Sequence, residues 1–124
     1  MAITMYPLSI IGSSDLRIVK DSDVDETIEG NVADGATVLY AAYFDNTANA
    51  AISYAKFYDL DTAVTVGTTA PACILPVTAS AVVLYVSTSG ITFSTGIGIA
   101  AVTGAGTAGT TGPTLAMTGT FILG

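Results

Sequence analysis

Half of the acidic residues in this 124-residue chain lie in one short segment, Lys20 to Asn31, which reads KDSDVDETIEGN. Asp21, Asp23 and Asp25 occupy alternate positions, as the first ligands of a helix–loop–helix calcium loop do. Such a loop requires glycine at its sixth position and glutamate at its twelfth, where this chain has Glu26 and Val32. Two interpretations remain, an irregular oxygen-ligand site or a solvated, charged bend or edge segment that discourages strand pairing. The second is favoured, so we predict no bound metal and no cofactor.

Other patterns typical of enzymes are incomplete. The chain has no histidine and one cysteine, Cys73, which excludes Ser–His and Cys–His catalysis and the common zinc sites. The segment GIGIAA (96–101) matches a minimal dinucleotide turn, but no acidic residue follows Asp61 to bind a ribose. Asp59 and Asp61 could form a pair of catalytic carboxylates, but they lie in a turn-like segment that shows no sign of a cleft. We therefore predict that the protein is not an enzyme.

The glycine-rich segment GAGTAGTTGP (104–113) lacks the lysine that a phosphate-binding loop needs beside its last glycine. It is interpreted as a flexible loop, or as one ordered only by a neighbouring subunit.

The distribution of charge points to protein partners. Charged residues make up only 10% of the chain, and residues 62–124 carry none. A soluble monomer scatters charges over its surface, so the uncharged half predicts that much of its outer face meets protein. The net charge of −7 with three basic residues argues against binding to nucleic acid or to an anionic membrane. The N-terminus has no positive residue before its apolar stretch, which is untypical of a secretory signal.

The elements that would position these residues are strands. Apolar residues alternate with a period of two along most of the chain, and glycine- and proline-containing turn segments separate the runs. We predict an all-β fold, a single antiparallel β-sandwich or jelly-roll-like domain of about 8–9 short strands over residues 1–124. Residues 1–35 could be an N-terminal arm or an added hairpin that contains the acidic bend. Candidate strands are 2–10, 16–20, 36–45, 51–60, 72–77, 81–86, 97–103 and 114–124.

Three segments in a fixed order resemble small structural proteins of tailed bacteriophages. They read FDNTANAAISYAKFYDL (44–60), AVTVGTTAPACILPV (63–77) and YVSTSGITFSTGIGIAAVTGA (85–105), and together they span about half of the chain. The resemblance implies a β-sandwich virion protein without enzymatic activity, often a capsid decoration or cement protein. Such proteins bind the outside of the assembled head, contact the major capsid protein and are frequently homotrimers. The acidic N-terminal third lies outside the resemblance.

The apolar N-terminal strand suits strand addition or subunit packing, and it supplies our predicted interface residues: Ile3, Met5, Tyr6, Leu8 and Ile10. Two alternatives to capsid decoration stay open. One is another virion component, such as a tail, neck or fibre-base protein. The other is a carbohydrate-binding or adhesion module with a stacking surface made of Tyr40, Tyr43, Tyr54 and Tyr58.

Overall fold

A computed structural model describes residues 3–7, 16–30, 32–33 and 35–124, with the backbone alone at residues 6 and 7. These residues form eight strands and no helix. Within the same ranges, no helix is long and apolar enough to cross a membrane. The strands are β1 (Ile3–Pro7), β2 (Arg17–Val24), β3 (Thr37–Asp45), β4 (Ser53–Asp59), β5 (Cys73–Val77), β6 (Val82–Phe93), β7 (Ile97–Val102) and β8 (Met117–Leu123).

The strands form two antiparallel sheets. A five-stranded sheet has the order β1-β2-β8-β3-β6, and a three-stranded sheet has the order β5-β4-β7. This arrangement confirms the predicted all-β antiparallel fold and is consistent with a β-sandwich. The jelly-roll-like connectivity stays a prediction, because the strand order establishes only the two-sheet architecture. The first two strands belong to the larger sheet, since β1 pairs with β2 and β2 pairs with β8.

Phenylalanine side chains from both sheets form the centre of the core. Phe44 and Phe121 point inward from the five-stranded sheet, and their rings lie 6.1 and 5.8 Å from that of Phe57 on the three-stranded sheet. Phe93 closes the group, 6.4 Å from Phe57. Burying a side chain of this size stabilises the fold by about 1.5–3 kcal/mol. The cross-sheet contacts therefore hold the two layers face to face.

Two predicted boundaries were wrong. The strand expected at 16–20 continues to Val24, so Asp21 and Asp23 belong to β2 and not to a bend. The segment TSG (88–90), expected to be a turn, is a bulge within β6, where the register with β3 shifts. Gly90 has a positive φ of 78°, and a Cβ there would lie 2.2 Å from Cγ1 of Val38. Glycine is thus required, and it permits the strand to continue where a turn was expected.

The acidic segment leaves the five-stranded sheet after Val24 and covers the edge of the other sheet. The Ala101 amide donates to the Asp25 carbonyl at 2.6 Å, and Glu29 and Ile99 exchange backbone hydrogen bonds of 2.8 and 3.0 Å. These bonds occupy groups of β7, which is the edge strand of the three-stranded sheet. The segment therefore pairs with an edge strand instead of discouraging pairing, and it is only partly solvated, because Asp21 and Glu29 are buried whereas Glu26 is exposed.

Two buried asparagines join the loops at one end of the sandwich. The Asn46 side-chain amide donates to the carbonyls of Ala51, Val77 and Thr78. The Asn49 amide donates to the Asn46 side-chain oxygen, at 2.8 Å. Asn49 also exchanges hydrogen bonds with the backbone of Leu115, each at 2.8 Å. The turn segment DNTAN was recognisable in the sequence, yet its asparagines also hold together three loops, those before β4, β6 and β8.

Candidate functional site

The predicted N-terminal interface lies at the edge of the five-stranded sheet. Ile3, Met5 and Tyr6 belong to β1, which pairs on one side with β2. Ile3 packs partly against the core, whereas the Met5 side chain is 44% exposed. Leu8 and Ile10 lie outside the described residues. The described part of the predicted strand is thus an edge strand, whose position would permit strand addition.

A larger apolar surface lies on the outer face of the five-stranded sheet, the face directed away from the core. The strand register places its residues in two rows that cross β6, β3, β8 and β2 in that order. One row consists of Val86, Ala41, Ile122 and Ile18. The other row consists of Leu84, Tyr43, Thr120 and Lys20. Leu84 and Val86 are 61% and 66% exposed. Lys20 is the single charged residue in these two rows. We call these eight residues the outer face.

A groove of about 500 Å³ runs along part of this surface. Ala41, Leu84, Val86 and Ile122 of the outer face line it, together with Leu16 and Tyr40 among others. Its walls are mostly apolar. The outer face therefore presents both a flat apolar sheet surface and a shallow recess to a partner.

The uncharged half of the sequence predicted an interaction surface, and the assignment of the interface to the N-terminal strand stays a prediction. The predicted residues came from the N-terminus, whereas the most exposed apolar side chains lie on β6. The sequence contains a signal for this, because the run VVLYV (82–86) is apolar at every position. A strand with one solvated face alternates apolar and polar residues, so a continuous apolar run indicates that both faces are covered.

The acidic segment forms a second candidate site. One carboxylate oxygen from each of Asp21, Asp23 and Glu29 lies within 4.8 Å of the other two. Asp21 and Asp23 were both members of the predicted carboxylate cluster. The third predicted member, Asp25, instead accepts a hydrogen bond from the Thr27 amide at 2.8 Å. Glu29 takes the third place because its backbone pairs with Ile99, a contact that residue spacing alone does not reveal.

Burial sets the electrostatics of this cluster. Asp21 is 0% exposed and Glu29 is 4% exposed. Loss of solvation raises the pKa of Asp21 to about 7, and it also raises the pKa of Glu29, with the nearby charge of Asp23 adding to the effect. The Asp21 Oδ1 atom accepts a hydrogen bond from the Asp23 amide at 3.0 Å. Asp21 Oδ2 and Glu29 Oε2 are buried without a hydrogen-bond donor among the described residues.

The other groups with chemical potential have structural partners. Asp59 accepts hydrogen bonds from residues 94–96 at the turn between β6 and β7, and these bonds lower its pKa to about 2. Lys56 is buried and donates to the carbonyls of Thr107 and Gly109. The loop at 104–113 is thus held by its own chain, which contradicts the second of its two interpretations, that only a neighbouring subunit orders it. The segment GIGIAA lies largely in β7 as an ordinary strand, without the helix that a dinucleotide turn requires.

The four tyrosines proposed as a glycan-stacking surface do not share one surface. Tyr40 and Tyr43 lie on the five-stranded sheet, whereas Tyr54 and Tyr58 lie on the three-stranded sheet. Tyr58 is fully buried. The structure therefore separates the residues on which the carbohydrate-binding alternative depended.

Comparison with models of protein families, with curated proteins and with solved structures gives no match to this chain.

Proposed function

We propose that this protein is a non-enzymatic structural component of a tailed-bacteriophage particle, a capsid decoration protein that binds the outside of the assembled head and stabilises it. Two lines of reasoning support the proposal. The ordered segments within residues 44–105 resemble such proteins, and the outer face of the five-stranded sheet is suited to contact with another protein.

The outer face is the observation that carries the proposal. Large apolar side chains at Leu84 and Val86 are more than half exposed, and Tyr43 lies beside them with 41% exposure. Contiguous apolar patches of this kind on soluble proteins mark interaction sites, because their exposure to water is unfavourable. Burial of this surface against shell subunits or against other copies of the chain would remove that cost.

The partner in this proposal is the major capsid protein, and the protein itself forms a homo-oligomer, with a trimer favoured. The exposed edge of β1, including Met5, extends the contact surface at the opposite side of the sheet from β6. A decoration protein that binds the assembled shell and not its precursor shifts the equilibrium toward the assembled shell by mass action. Repeated copies on a symmetric shell add avidity, so each individual contact can be weak.

The number of copies in each purified virus particle tests the proposal. Quantitative mass spectrometry would measure this chain relative to the major capsid protein in purified particles. We expect on the order of hundreds of copies in a simple ratio to the shell protein, because decoration follows the repeats of the shell. On the order of a dozen copies would favour the tail or neck alternative, and absence from particles would contradict a virion role.

A further inference from the structure

The cluster of Asp21, Asp23 and Glu29 has no role in the proposed contact with a shell, since Asp21 and Glu29 are buried inside the protein. From the geometry of the cluster and from its oxygens that accept no hydrogen bond, we propose that Asp21, Asp23 and Glu29 form a calcium site that links the two sheets. The proposal is independent of the capsid function and holds for the isolated protein.

The spacing of the carboxylates fits calcium. Calcium binds oxygen ligands at about 2.3–2.6 Å, so two oxygens on one ion lie at most about 5 Å apart. One oxygen from each of the three residues lies within 4.8 Å of the others, which satisfies this limit. Magnesium binds at about 2.0–2.1 Å and demands near-octahedral geometry, whereas calcium accepts irregular sets of oxygen ligands. The site is therefore better suited to the larger ion, with water completing its coordination.

Two carboxylate oxygens that accept no hydrogen bond provide a second, separate indication of a cation site. Asp21 Oδ2 and Glu29 Oε2 are buried and accept no hydrogen bond among the described residues. Buried carboxylates are normally hydrogen-bonded, paired with a basic group or bound to a metal. Asp21 uses its other oxygen for the Asp23 amide, within the β2 bulge. Two buried acceptors at one place thus require either a proton or a cation.

The two lysines bind other groups or face away from the cluster. Lys56 donates to the Thr107 and Gly109 carbonyls. Lys20 is exposed and precedes Asp21 in β2, so the alternation of the strand directs it to the opposite face. Arg17 lies four residues before Asp21 and donates to the Thr37 hydroxyl at 3.4 Å. Neither lysine therefore supplies a counter-charge to Asp21 or Glu29.

The position of the site gives the ion a structural role. Asp21 is part of the five-stranded sheet through its pairing with Gly119 of β8. Glu29 is bonded through its backbone to Ile99 of the three-stranded sheet. An ion held by both residues would connect the sheets where the chain crosses between them. Calcium binding should then stabilise the whole fold and slow amide exchange in residues 21–29.

Thermal unfolding with added calcium is the first test. The full chain, stripped with a chelator, would be melted at about pH 8, where carboxylates are ionised, over calcium concentrations up to about 10 mM. We expect a dissociation constant of about 0.1 mM and a rise in Tm of about 8 °C at about 10 mM calcium, which is a 100-fold excess over it. Calorimetric titration should give one ion per chain, and magnesium should give a smaller shift.

Matched variants locate the ion. Asp21→Asn and Glu29→Gln should abolish the calcium-dependent shift, whereas the control Glu26→Gln should keep it, because Glu26 is exposed and outside the cluster. Without calcium, both cluster variants should melt at or above the wild-type temperature, because each removes a buried charge that repels its neighbours. That result would also show that the variants fold.

Two results would overturn the proposal. A folded protein whose Tm does not respond to calcium would indicate that the cluster is neutralised by a proton. A shift of equal size in wild type and in both cluster variants would place the ion elsewhere.

Discussion

At the scale of single residues, one carboxylate can organise a turn without any catalytic role. Asp59 ends β4, and its two oxygens accept hydrogen bonds from the Ser94 amide and hydroxyl and from the amides of Thr95 and Gly96. Four donors on one ionised group favour the charged form, which lowers its pKa to about 2. Asp59 therefore fixes the connection by which the chain passes from one sheet to the other.

We predict that Asp59→Asn lowers the Tm by several degrees at neutral pH, because an amide accepts fewer of these hydrogen bonds. The folded pKa lies near 2 and the unfolded value near about 3.9, so the stabilisation is present above about pH 4 and is lost as the pH falls toward 2. The difference in Tm between wild type and variant should shrink over that interval. Calorimetry from about pH 7 to about pH 2 would measure it.

Asp61→Asn is the matched control, since Asp61 is exposed and lies two residues further along. A difference between wild type and Asp59→Asn that is independent of pH would contradict the assigned role of the ionised carboxylate.

At the scale of elements, β4 packs against the core with one face and against the 104–113 loop with the other. Ala55 and Phe57 face the core, and Lys56 between them faces the opposite side, where the 104–113 loop covers it. The Lys56 ammonium binds the Thr107 and Gly109 carbonyls at 3.0 and 2.9 Å. Burial lowers the pKa of Lys56, which reflects the cost of keeping a charge under the loop. Its two carbonyl acceptors offset part of that cost.

We predict that Lys56→Met frees the loop while the strand stays intact, because methionine keeps much of the aliphatic stem and loses both hydrogen bonds. The free energy of unfolding should fall by about 1–3 kcal/mol, as measured by urea denaturation. Hydrogen exchange in residues 103–113 should accelerate. Thr62→Met, at an exposed position in the turn after β4 and outside the outer face, is the control and should change neither quantity. Unchanged exchange in the Lys56 variant would show that other contacts hold the loop.

At the scale of the whole molecule, the two sheets differ in what covers them. The 104–113 loop and the acidic segment cover parts of the three-stranded sheet, through Lys56 and through β7. The outer face of the five-stranded sheet keeps Leu84 and Val86 exposed. This asymmetry is the physical basis for proposing that the larger sheet meets other protein chains.

We predict that the wild-type protein has a light-scattering mass of a multiple of 12.4 kDa, with three subunits favoured. The double variant Leu84→Ser, Val86→Ser should raise the dissociation constant of this oligomer by about 10–100-fold, because it removes buried apolar contacts. The monomer fold should be little affected, since both side chains are exposed in the single chain.

Leu115→Ser is a suitable control, because Leu115 is also exposed but lies before β8 and outside the outer face. A wild-type protein that stays monomeric at high concentration would contradict self-association through this surface. It would leave the shell contact to be tested separately in particles.

The sequence by itself determined the class of fold and the approximate positions of the eight strands. Alternation of apolar residues and turn residues are local properties, so they can be recognised without tertiary information. The core positions of β8, such as Met117 and Phe121, followed from the same alternation. The clustering of acidic residues in one segment and the absence of charge in the second half could also be seen in the sequence alone.

Only the tertiary structure decided which of these residues meet. Glu29 joins Asp21 and Asp23 because its backbone pairs with β7, and Leu84 joins Tyr43 because β6 pairs with β3 in that register. The bulge at Gly90 depends on the close approach of Val38, and the order of the 104–113 loop depends on Lys56. Contacts between residues far apart in the chain depend on strand order and register, which the local period of two leaves open. The carboxylate cluster and the outer face could therefore be identified only from the arrangement of the strands in the two sheets.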